Sequence, residues 1–63
     1  LSDMEEMNLF REIINNLIQS KQYILINYKS DIGEYLGLTA IITSMDDTCI
    51  KVNTGEVIAL SNP

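Results

Sequence analysis

The sequence predicts a single small α+β domain: an N-terminal helix followed by a curled antiparallel meander of about four strands. Three observations lead there. Apolar residues recur at helical spacing through the first third of the chain. The period then changes to two at Tyr23. From Tyr23 onward, short turn-forming clusters divide the chain at intervals too brief for crossover helices, so neighbouring strands run antiparallel. At 63 residues the chain has room for one core only. A domain of this size buries about 60% of the surface that its unfolded chain exposes, and its stability is correspondingly thin.

The helix is expected over residues 3–20. Ser2-Asp3-Met4-Glu5 fits a capping box, with the Ser2 hydroxyl taking an orphan amide of the first turn. Asp3, Glu5 and Glu6 lie near the positive end of the helix dipole and Lys21 near the negative end. Phe10, Ile13, Ile14, Leu17 and Ile18 follow the i, i+3, i+4, i+7, i+8 pattern of one apolar stripe, which Met7 extends. Arg11, Glu12, Asn15, Asn16 and Gln19 fall elsewhere on the cylinder. A lone helix of this composition is marginal in water, so its stripe requires a partner surface. The arc of Met7, Phe10, Ile14 and Leu17, flanked by Leu9, Ile13 and Ile18, is broader than one sheet face needs.

That partner surface is the β run. Strands are expected over 23–28, 34–45, 48–53 and 56–60. Tyr23 to Tyr28 is rich in β-branched and aromatic residues. Lys29 to Gly33 supplies turn chemistry. Glu34 to Met45 reads as one long strand or as two joined by a bend, with Gly37 the expected site of the bend or bulge. Asp46-Asp47 forms an acidic turn. In the next strand Ile50 and Val52 share one face, while Cys49 and Lys51 share the other. Asn53-Thr54-Gly55 is the strongest turn signal, because Gly55 is free to take positive φ.

The stretch Gly37-Leu38-Thr39-Ala40-Ile41-Ile42-Thr43-Ser44-Met45-Asp46-Asp47-Thr48-Cys49-Ile50-Lys51-Val52, then Asn53 to Ile58, resembles the Sm-like small-barrel group. In that group a glycine, alternating apolar residues, an acidic turn and another apolar strand follow one another. The group includes Hfq proteins, the YolD-like proteins of Bacillus and its phages, and the Rof type of Rho inhibitor. The resemblance covers residues 5–60 in outline, and SH3-like barrels share the same pattern. It implies an incomplete Sm-like or SH3-like barrel whose short last strand would lie past Pro63. It also implies a bacterial or phage regulatory protein. Both ends of the chain read as cut.

Charge narrows the function. The net charge is −5, with nine acids against Arg11, Lys21, Lys29 and Lys51. Nucleic-acid backbones are bound mainly through Lys and Arg, so that class of partner is disfavoured. Hfq-type RNA binding by basic and aromatic residues does not carry over to a chain with four scattered cations. The Rof type, acidic and protein-binding, is the nearer analogue in charge. No apolar run approaches the length of a membrane span and no signal segment is present. Cys49 is the only cysteine and there is no histidine, so neither an internal disulfide nor a Cys/His zinc site can form. A lone cysteine without a targeting segment points to the cytoplasm.

No constellation reads as catalytic. Cys49 lacks a histidine base. Asp46-Asp47 lacks a third carboxylate for a hard cation and reads as a turn. Glu34 with Glu56, or Asp31 with Glu34, are pairs that nine acids on a small surface produce by accident. Gly33, Gly37 and Gly55 are not spaced as a phosphate loop. No cofactor and no metal are expected. The sequence therefore predicts a non-catalytic interaction module that self-associates and offers an acidic surface to a partner protein. Tyr28, Glu34, Tyr35, Asp46 and Asp47 are the expected partner contacts, and Met4, Met7 and Leu9 the expected subunit contacts. The alternative is an Sm-like RNA binder using Tyr28, Lys29 and Lys51.

Overall fold

The computed structural model describes residues 2–60. Helix α1 spans Asp3–Ser20. Ser2 caps it from an extended conformation, its Oγ accepting the Glu5 amide at 3.1 Å. The helix stops at Lys21, which takes the left-handed conformation (φ 54°) and donates its amide to the Leu17 carbonyl at 3.2 Å. Among the described residues five strands follow: β1 Ile24–Lys29, β2 Tyr35–Ala40, β3 Ile42–Met45, β4 Cys49–Val52 and β5 Val57–Ala59.

All the strand pairings are antiparallel and join neighbours in sequence. β1 and β2 form one sheet, in register from Ile24 opposite Ala40 to Lys29 opposite Tyr35. β3, β4 and β5 form a second sheet in that order. Among the described residues the two sheets do not close into a barrel, and the fold is α+β. Gly33 and Gly55 hold positive φ in the β1–β2 and β4–β5 turns, where a side chain would be strained.

The run 34–45, read from the sequence as one strand or two, is two strands. The break falls at Ile41 rather than at Gly37. Gly37 sits in the regular β1–β2 ladder opposite Asn27. At Ile41 the backbone is drawn out of the ladder by Asn53, whose amide donates to the Ile41 carbonyl and whose Oδ1 accepts the Ile41 amide, both at 2.9 Å. A register shift follows between Ile42 and Ser44, across which the Thr43 hydroxyl donates to the Lys51 carbonyl.

The core is Ile14, Ala40, Ile42, Ile50, Val52 and Ile58, with Phe10, Leu17, Ile18 and Ile26 packed against it. β1 alternates as the period of two requires, with Ile24, Ile26 and Tyr28 turned inward. α1 lies mainly on β3. Ile13, placed in the helix stripe by the sequence, is instead half exposed. The sheet face that meets α1 covers only the arc through Phe10, Ile14, Leu17 and Ile18, and Ile13 projects past its margin.

Candidate interaction surface

The two sheets part between β1 and β5. Among the described residues neither the outer edge of β1 nor that of β5 has a strand partner. A cleft of about 540 Å³ lies between them, lined by Tyr28, Lys29, Asp31, Leu36, Val57 and Ile58. A second cleft of about 260 Å³ shares Tyr28 and Ile58 with the first and reaches the core residues Ile14, Ile42 and Ile50. Two open backbone edges thus flank a trough whose floor is apolar core.

The polarity of the β5 edge follows from its ladder. Val52 donates to the Glu56 carbonyl and Leu60 to the Thr48 carbonyl. Antiparallel pairing alternates along a strand, so the Ile58 amide turns toward β4 while those of Val57 and Ala59 turn outward. The edge carries no charge and no proline, the two features that most often blunt an exposed strand.

The acids expected to meet a partner are mostly engaged within the chain. Asp46 Oδ1 accepts the Thr48 amide at 2.8 Å, the Thr48 hydroxyl at 2.9 Å and the Cys49 amide at 2.9 Å. The Cys49 thiol faces Asp46 Oδ2 at 3.7 Å. These donors hold the carboxyl at a pKa of about 2 against an ordinary 3.8, the Thr48 amide first and then its hydroxyl and the Cys49 amide. Asp46 is the frame of the β3–β4 turn. Asp47 pairs with Arg11 at 3.0 Å and ties that turn to α1. As an exposed pair it adds little stability.

The aromatic residues divide. Tyr28 is half buried against the core. Tyr23 is exposed, its hydroxyl accepting from Asn53 Nδ2 at 3.4 Å. Tyr35 is the most open, with the Lys29 ammonium 5.7 Å from its ring centre. Glu34 closes the β1–β2 turn through its backbone, its amide donating to Ser30 Oγ and its carbonyl accepting the Ser30 amide. Tyr28, Glu34 and Tyr35 therefore gather about the β1–β2 turn, while Asp46 and Asp47 belong to the β3–β4 turn. Lys29 ends β1 and Lys51 lies within β4, in different sheets.

Met4, Met7 and Leu9 are all exposed but do not form one patch. At 100° per residue, Leu9 stands roughly 140° around the helix from Met4. Ile13, not among the expected contacts, stands one turn from Leu9 on the same face. Its exposure depends on the width of the sheet beneath α1, a quantity that helical periodicity does not carry. Among the described residues no helix is long and apolar enough to cross a membrane, and no three Cys, Asp or Glu side chains gather as a metal site.

No family model matches this chain, and neither does any curated protein or solved structure.

Proposed function

We propose that this chain is a cytoplasmic, non-catalytic interaction module of Sm-like outline that self-associates through its open strand edges and offers an acidic surface to a partner protein. The observation that supports the reading is the trough between β1 and β5: two unpartnered edges over an apolar floor, one of them without charge or proline. Backbone edges are satisfied by another strand, and a second copy carries the same edges. Main-chain hydrogen bonds would supply register, and the apolar residues of the trough would supply burial.

The test is size-exclusion chromatography with light scattering, read at 260 and 280 nm. The reading expects a mass that is a whole multiple of 7.1 kDa, without excess absorbance at 260 nm. A particle that stays at 7.1 kDa as concentration rises refutes self-association. Co-eluting nucleic acid refutes the choice of partner.

A further inference from the structure

The outer face of α1 is a separate surface from the trough. Leu9 and Ile13 are each 50% exposed, one helical turn apart. Helical spacing places Glu5 and Glu12 on one side of this pair and Glu6 on the other. All five fall within an arc of roughly 120°, together with Asn16. Each of these residues is exposed. The arc holds no cation: Arg11 lies outside it and is turned to Asp47, and Lys21 stands past the end of the helix. An apolar pair fenced by carboxylates on both sides offers a partner both burial and charge on one helix face.

Charge decides the occupant. A second copy is a poor fit, because its own α1 face is acidic and its Lys21, Lys29 and Lys51 are dispersed over the helix cap, β1 and β4. A partner with an apolar row between lysines or arginines fits both parts of the surface. The pair runs at i, i+4 along the axis, the geometry that seats between the side-chain rows of another helix. We propose that Leu9 and Ile13, fenced by Glu5, Glu6 and Glu12, form a docking site for a basic amphipathic helix of a partner protein. The proposal rests on the reading of the chain as an interaction module with an acidic surface, and moves that surface from the turns to α1.

The probe is a synthetic helical peptide with a leucine row flanked by lysines, titrated into the full ¹⁵N-labelled chain and followed by amide shifts. A peptide with glutamates in place of the lysines is the control. Shifts centred on residues 5–16 are expected with the lysine peptide and none with the glutamate peptide. The double variant L9S/I13S is expected to weaken binding about tenfold, since the apolar contact is lost while the charges remain. The triple variant E5Q/E6Q/E12Q is expected to weaken it at least as much. Both alter exposed side chains only, and the unshifted amides of the β strands report that the fold is intact. Shifts centred on β1 and β5, equal binding by the two peptides, or unchanged affinity of L9S/I13S would each overturn the docking site. Light scattering on the same samples keeps the two ideas apart. A dimer that gives no peptide shifts refutes the α1 site alone; a monomer whose α1 amides shift refutes self-association alone.

Discussion

Asn53 lies 30 residues from Tyr23 and 12 from Ile41 in sequence, and its side chain bonds to both. With its own amide it also holds the Ile41 carbonyl, so one residue fastens both backbone groups at the break between β2 and β3. Asn53→Ala leaves the Ile41 amide without that acceptor and is expected to cost about 1 kcal/mol, the net worth of such a bond. Asn53→Asp keeps the acceptor and should cost less. Urea unfolding with an unchanged slope checks the order of the three proteins. Asp46 makes the second residue-scale prediction. Its carboxyl, held near 2 in the folded chain against 3.8 ordinarily, binds a proton more weakly than it does once unfolded. The unfolded state therefore takes up more protons, and stability rises with pH through this window. The contribution is complete above about 3.8 and disappears as pH falls toward about 2. Asp46→Asn is expected to flatten the pH dependence of unfolding between those values, and an unaltered acid limb would refute the assignment.

At the scale of elements, most of the fold was legible because it is local. Ser2 before an apolar stripe marks the start of α1, and the parity of Ile50 and Val52 marks the inner face of β4. Gly55 marks the β4–β5 turn. The bend was misplaced at Gly37 because a local reading sees a residue that permits a bend, whereas Ile41 bends through Asn53, a contact made only on folding. The acidic turn was legible as a turn, but that Asp46 would spend its lone pairs on Thr48 and Cys49 was not. The trough was not legible, since which edge stays open depends on how two sheets meet. That edge gives the third prediction. Val57 is 60% exposed and stands at the lip of the trough. Val57→Lys places a charge on the β5 edge without touching the amide that Ile58 turns toward β4. It also reduces the negative charge of each copy, so a purely electrostatic view predicts stronger self-association. Edge pairing predicts the reverse: a shift toward monomer by light scattering, with the melting temperature little altered.

For the whole molecule, a net charge of −5 opposes the approach of a second copy. Contact dominated by the uncharged β5 edge and an apolar floor draws little on ion pairs that salt would weaken, with Lys29 and Asp31 the charged residues of the same cleft. Raising salt from about 0.1 M to about 1 M shortens the Debye length from about 10 Å to about 3 Å and screens the repulsion between copies. Self-association is therefore expected to tighten several-fold over that range, measured as the dissociation constant from sedimentation equilibrium. Docking of a basic helix on α1 depends on opposite charges and is expected to weaken over the same range, so the two surfaces respond to salt with opposite signs. A self-association that instead loosened with salt would mean that Arg11 or the dispersed lysines bridge to acids of the next copy. In that case the uncharged β5 edge and the apolar floor would not dominate the contact, whatever mass the particle has.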